Sequence, residues 1–258
     1  MMELNKIYCG DNCDLLGQLP RECVDLVVTS PPYDDLRTYG GHTWDFYGVA
    51  WQLKRVLKPG GVIVWVVADA IKDGSETGTS FRQALYFKEI GFNIHDTMIW
   101  AKDGGGAHGS NLCYFQNFEY MFVFSKGRPS KVNLLYDKIN KSFGQNKSRC
   151  GRRKITGEIK DESHFCNNEF SRRNNWWLMS TAKDGEGHPA VFPEQLANDH
   201  ILSWSNPGDL VLDPFAGSGT TCKAAKELGR NFLGFEINPE YCKIAERRIA
   251  QEVLDFVS

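Results

Sequence analysis

In Val27-Val28-Thr29-Ser30-Pro31-Pro32-Tyr33 an apolar run ends in a hydroxyl, two consecutive prolines and an aromatic ring. Each proline fixes φ and removes a backbone N–H donor, so the Pro31 carbonyl and the Ser30 hydroxyl stand available to a ligand at the strand exit, and Tyr33 adds a flat face. A rigid strand exit carrying a packed tyrosine is the bland alternative. A second apolar run, Leu210-Val211-Leu212, meets a small-residue turn, Asp213-Pro214-Phe215-Ala216-Gly217-Ser218-Gly219, before Thr220 opens a helical pattern. Glycines there permit a tight turn and let a ligand approach the backbone, although a lone G-x-G also serves packing alone. Glu236 ends a third run, Phe232 to Phe235, 17 residues beyond Gly219. That spacing can place a carboxylate at a neighbouring strand tip, within reach of ribose hydroxyls. A nucleoside-containing ligand suits this set better than a bare phosphate, and the absent third glycine disfavours a dinucleotide-dependent dehydrogenase.

These groups need strands to hold them. Ile7 to Gly10, Val24 to Thr29 and Gly61 to Ala68 are short β-branched runs, and Trp44 to Leu57 has helical spacing before Lys58-Pro59-Gly60-Gly61 stops it. Phe92 to Trp100 and Glu119 to Ser125 read as a hairpin-like pair at a sheet edge, separated by Gly104-Gly105-Gly106. From Lys126 to about Gly187 periodicity fades. The pattern then resumes with a helix from about Pro193 to Ser205, a strand Leu210 to Leu212, a helix Thr220 to Leu228, a strand Phe232 to Phe235 and a helix Pro239 to Val253. The predicted architecture is α/β: a doubly wound, mostly parallel sheet with an antiparallel edge hairpin, interrupted by one irregular basic region. Residues 1–125, 126–187 and 188–258 are its three expected parts.

A chain of 258 residues buries one full α/β core. The longest apolar stretch, around Val62 to Ala68, is too short to span a bilayer, and Met1-Met2-Glu3-Leu4 opens no signal-like segment, so a cytoplasmic protein is expected. Eight cysteines at 9, 13, 23, 113, 150, 166, 222 and 242 include no C-x-x-C pair and read as reduced thiols. Cys150, His164 and Cys166 lack a fourth ligand and ligand-like spacing, so no metal site is expected. The net charge of −2 is uninformative, but Lys126 to Lys183 holds 14 Lys and Arg against 5 Asp and Glu. That block is either a solvated loop or a nucleic-acid surface.

The turn from Asp213 to Thr220 resembles the S-adenosylmethionine motif of DNA amino methyltransferases, and Ser30 to Tyr33 resembles their catalytic loop. The order, catalytic loop before cofactor loop with the insertion between, is similar to the permuted β group, and the likeness extends over nearly all of residues 5 to 250 outside the insertion. It implies a Rossmann-like methyltransferase fold and S-adenosyl-L-methionine as cofactor. Asp213, Pro214, Phe215, Ala216, Gly217, Gly219 and Thr220 would meet the methionine part, Glu236 the ribose, and Asp11 the adenine amino group; taken alone, Asp11 reads rather as a helix N-cap. His188 to Pro193 resembles the segment before the cofactor helix, so Phe192 would line the methionine pocket.

The implied reaction is methylation of an exocyclic base nitrogen, whose lone pair is delocalised into the ring. Acceptors at Ser30 and Pro31 would hold its hydrogens and favour a pyramidal nitrogen, with Tyr33 stacked on the base and Pro32 stiffening the loop. None of the ten prolines precedes a cysteine, so the Pro-Cys nucleophile of carbon-5 methylation is missing. Reaching the base in duplex DNA implies base flipping. Phe118 and Tyr120 would form the pocket's other wall, or equally an edge-strand core pair. The insertion corresponds to the family's target-recognition region: Arg152, Arg153, Lys154, Arg172 and Arg173 would contact phosphates or guanine edges, and Asn174 and Asn175 would read adenine. Trp176 and Trp177 would wedge or stack, or form a small hydrophobic nucleus. Ser30, where adenine-specific members more often carry Asp or Asn, leans toward cytosine N4 over adenine N6. Double-stranded DNA is the implied partner, with a cognate restriction endonuclease and a homodimer as open expectations. An RNA or protein methyltransferase of the same fold and a catalytically silent DNA-binding relative are the rivals.

Overall fold

The computed structural model describes residues 2–32, 44–103, 114–149, 162–181 and 192–250. Tyr33, Gly104 to Gly106, Cys113, Cys150, Arg152, Arg153, Lys154 and the segment from His188 to Val191 lie outside them. In chain order the elements are β1 (Lys6–Cys9), α1 (Asn12–Gly17), β2 (Val24–Thr29), α2 (Phe46–Val56), β3 (Leu57–Val67), β4 (Ile71–Lys72), β5 (Ser75–Glu76), α3 (Thr79–Glu89), β6 (Asn93–Asp103) and β7 (Phe118–Ser125). There follow β8 (Lys138–Ile139), β9 (Asn146–Arg149), β10 (Glu162–Phe165), β11 (Phe170–Ser171), β12 (Trp176–Ser180), α4 (Glu194–Trp204), β13 (Leu210–Asp213), α5 (Thr220–Glu227), β14 (Asn231–Glu236) and α6 (Pro239–Ala250).

Eight strands pair in the order β1-β14-β13-β2-β3-β7-β6-β12. Among these described strands only the pairings made by β7, with β3 and with β6, are antiparallel, so β7 alone is reversed. All six residues of β2 and all four of β13 are buried, the polar Asp25, Thr29 and Asp213 among them, as strands covered on both faces are. α2 buries Val49, Ala50, Leu53 and Val56 on one stripe against this sheet. The core continues through Trp65, Phe87, Phe122, Phe124 and Phe235, and the buried Trp65 indole donates to Gln83 Oε1 at 2.9 Å.

α3 has no counterpart in the sequence reading, because its buried face mixes Ser80 and Gln83 with Ala84 and Phe87 while Phe81 and Leu85 face outward. β12 is also new: it lies parallel to β6, outside the β6–β7 hairpin, with Trp177 opposite Trp100. Strand alternation splits the tryptophan pair. Trp177 is buried with its ring 4.5 Å from that of His200, whereas Trp176 is 54% exposed.

The chain divides into two compact units, one of Met1–Asn133 with Asn175–Ser258 and one of Leu134–Asn174. The smaller unit falls within residues 126–187. Lys131 belongs to the larger unit, where it pairs with Asp25 and Asp209, and β12 completes that unit's sheet. Within the smaller unit β8 pairs with β11 and β9 with β10, both antiparallel. Among the described residues no helix is long and apolar enough to cross a membrane, and no group of three His, Cys, Asp or Glu could hold a metal ion.

Candidate functional site

The parallel strands β1, β14, β13 and β2 end along one edge of the sheet, so Asp11, Glu236, the Asp213 to Gly219 turn and Ser30-Pro31 follow one another in that order. In α/β sheets this carboxyl edge is where ligands bind. β13 and β2 are direct neighbours, with Val211 opposite Leu26 and Leu212 opposite Val27. Their tips are joined by the Thr29 Oγ1 donation to Asp213 Oδ1 at 2.6 Å. The two loops singled out by their residue types, 184 residues apart at this bond, are adjacent in space.

The glycine turn is fixed from several sides. Ala216 N donates to Phe235 O at 2.8 Å, Gly217 N to Glu236 Oε2 at 2.8 Å and Gly219 N to Ala216 O at 2.7 Å. Asn12 Nδ2 reaches Pro214 O at 3.3 Å. Gly219 has φ +81°, and a Cβ there would stand 2.9 Å from Ala245 Cβ of α6. A Cβ on Gly234 would stand 2.4 Å from Ile7 Cδ1 and 2.8 Å from Cys222 Sγ. The close packing of α6 is by itself enough to require glycine at 219. Arg248, which sequence reasoning missed, reaches from α6 to Ser218 O at 2.9 Å and Ser218 Oγ at 2.6 Å, and to Glu194 Oε1 at 3.2 Å. No local signal marks it, since its partners lie 30 and 54 residues away. Phe192 is buried immediately before α4, whose first-turn Glu194 also meets Lys223. Burial pushes the Glu194 carboxyl up, but Lys223 and Arg248 outweigh it and hold the group below its usual range.

Asp213 is 2% exposed, and its carboxyl is spent inside the protein, on Thr29 Oγ1 and on Phe215 N at 3.1 Å. It shapes the turn from beneath rather than presenting an oxygen on its surface. Burial raises its pKa to about 6, the bonds from Thr29, Phe215 and Thr221 opposing and the charge of Glu236 adding. An acid that titrates near 6 when folded and near 3.8 when unfolded holds its proton longer in the native state. Its contribution to stability is full below about pH 4 and is lost as pH rises toward 6. Relative to Asp213→Asn, the wild-type protein should therefore lose unfolding free energy between pH 4 and pH 6.5, as measured by urea unfolding; a constant difference would contradict the assignment.

Asp11 is the N-cap of α1, its Oδ1 accepting from Cys13 N at 2.8 Å and Asp14 N at 3.1 Å. Glu236 Oε1 also takes Asn238 N at 2.8 Å. On the other side of Ser30, β7 begins at the same edge, with Tyr120 opposite Val67 of β3. Phe118, Tyr120, Phe122 and Phe124 form an aromatic ladder that starts in the core and ends at this edge. Phe118 is 41% exposed, and Phe81 of α3 sits 5.4 Å from Tyr120. Burial raises the Tyr120 phenol pKa, helped by Glu76 and Asp69.

Within the smaller unit, Arg173 donates to both carboxylate oxygens of Asp137, Arg172 lies over the Tyr136 ring at 5.9 Å, and Asn174 Oδ1 accepts from Lys138 Nζ at 3.0 Å. Arg173 thus has a structural partner that its sequence position did not reveal.

TTHA0409 from Thermus thermophilus, in complex with S-adenosyl-L-methionine, matches with a TM-score of 0.64 and 28% identity over 97% of each chain. The cytosine-N4-specific PvuII DNA methyltransferase shares the fold, with a TM-score of 0.66 and 22% identity over 95% of this chain and 86% of its own. The orphan methyltransferase M.BamHII of Bacillus amyloliquefaciens is 51% identical over 90% of both chains. The type II methyltransferase M.BglII of Bacillus subtilis is 32% identical over 96% of this chain and 70% of its own. With a DNA methylase family model matching residues 24–247, the chain belongs to the N6/N4 DNA methylase family.

Proposed function

We propose that this chain methylates an exocyclic amino group of a base flipped out of duplex DNA, with cytosine N4 favoured over adenine N6 and S-adenosyl-L-methionine as donor. The observation that supports it most is the adjacency of the β2 and β13 tips, which sets the amine-holding loop beside the glycine turn. The residues fit such a donor: the strand-tip carboxylates Glu236 and Asp11 follow the turn on the side away from Ser30, and carboxylates accept from an exocyclic amine and from a vicinal diol. When bound, the donor supplies an electrophilic methyl group on a sulfonium.

The chain's own residues do the rest. Ser30 Oγ and the Pro31 carbonyl accept the two hydrogens of the amine, so its lone pair turns out of the ring plane and toward the turn. As the nitrogen–carbon bond forms, the carbon–sulfur bond would break with its electron pair leaving on a neutral thioether, and the proton released from the amine passes by the Ser30 oxygen to water. Tyr33 stacks on the base. Phe118 and Tyr120, across the one intervening strand and so roughly 10 Å along the edge, close the other side. Trp176, Arg172, Arg173, Arg152, Arg153 and Asn174 meet the DNA backbone and base edges.

The experiment is transfer of tritiated methyl groups to duplex DNA, tRNA and bulk protein, followed by digestion of the DNA to nucleosides and mass spectrometry. Label in DNA as N4-methylcytosine is expected. N6-methyladenine would reverse the base preference, and label confined to tRNA or protein would overturn the reading.

A further inference from the structure

The main-chain ladder between β13 and β2 stops at Leu212 opposite Val27, before either loop begins. Beyond that point, among the described residues, side chains join the two tips. Thr29 Oγ1 donates to Asp213 Oδ1 at 2.6 Å, and Thr221 Oγ1, from the first turn of α5, donates to Val28 O at 3.1 Å and also lies within hydrogen-bonding reach of Asp213. Thr29 and Thr221 are fully buried. A carboxyl is an expensive group to bury, and apolar residues would pack these strands as well. What a hydroxyl–carboxyl bond adds is direction, since it holds one strand tip at a set distance from the other.

We propose that Thr29, Asp213 and Thr221 form a buried stitch that sets the separation between the amine-holding loop and the glycine turn, with Thr29 a positioning residue for methyl transfer. Thr29 touches neither reactant. It fixes the backbone from which Ser30 and Pro31 project, and through Asp213 it fixes Pro214 and Phe215, so the stitch holds both sides of the reaction together. Displacement of a reacting pair by about 1 Å costs on the order of 100-fold in rate. This inference rests on the function proposed above for its kinetic arm and is independent of it for its structural arm.

The test compares Thr29→Val, which keeps the shape and removes the donor, with Thr29→Ser, which keeps the donor. Methyl transfer to unmethylated duplex DNA is measured together with the affinity for S-adenosyl-L-methionine. Thr29→Val should lower kcat about tenfold or more with KM and cofactor Kd within about twofold, and Thr29→Ser should recover kcat to within about threefold. Hydrogen–deuterium exchange, run without any substrate, should show faster exchange in Thr29→Val across both 28–32 and 213–220, and not in Thr29→Ser. Equal kcat in Val and wild type, equal losses in Val and Ser, or exchange confined to the mutated segment would each overturn the stitch. Joint loosening of both segments in a protein that methylates no DNA would instead uphold the stitch and sink the proposed reaction. If Thr29→Val does not fold, Thr221→Val against Thr221→Ser gives the same readouts, and each outcome counts for or against the stitch in the same way.

Discussion

Ser30→Ala should lower kcat for methyl transfer by on the order of 100- to 1,000-fold, the usual cost of removing one pre-aimed hydrogen-bond partner from a reacting group. Affinities for cofactor and DNA should stay within about threefold. The reason lies in where Ser30 sits. It is the first residue past a strand whose six residues are all buried, and the following Pro31 is buried too, so the loop leaves the sheet at a fixed angle. In the proposed reaction the hydroxyl acts on the amine nitrogen, not on the binding of the base ring, so the loss is expected in kcat. Steady-state kinetics with separate binding titrations check this. A variant that raised KM alone would show that Ser30 only helps hold the substrate.

Gly219→Ala should cost about 2–5 kcal/mol of stability, the sum of placing a side chain at positive φ and overpacking a filled contact. For a domain of this size that is a fall in Tm of about 5–15 °C. The added methyl would need the space of Ala245, and it is α6 that would have to move. Because Arg248 on that helix holds Ser218, displacement of α6 should also loosen the turn and weaken cofactor binding. Differential scanning calorimetry and a cofactor titration on the same sample measure both effects. A Tm within about 2 °C of wild type would contradict the packing argument.

The parts of this fold legible in the sequence are those whose burial is uniform. β2, β13 and β14 are near-continuous apolar runs closed by turn residues, and each lies within a residue or two of its expected place. α3 was illegible because two of its four most buried positions, Ser80 and Gln83, are polar, and two exposed ones are Phe81 and Leu85. β12 was hidden inside a basic, irregular stretch, and only pairing with β6 makes Trp177 a core residue. At the site, the strand exits and the acidic tips were readable from residue type and spacing. So was the helix cap that Asp11 makes. The use made of Asp213 and Gly219 was not: Asp213 bonds to the neighbouring strand, and Gly219 accommodates α6. These two roles depend on residues far away in the chain, which no local pattern encodes. Arg173 makes the same point: nothing near it in sequence announces Asp137, 36 residues away.

The most direct measurement is a crystal structure of the full chain with S-adenosyl-L-homocysteine and a duplex containing its methylation site. A base rotated out of the helix is expected, its exocyclic nitrogen bonded to Ser30 Oγ and the Pro31 carbonyl. The thioether sulfur should lie above the Ala216 to Gly219 turn, close enough that a methyl group would sit about 3–3.5 Å from that nitrogen. A thioether bound away from the β13 tip, or a target base still stacked in the duplex, would contradict the proposed reaction.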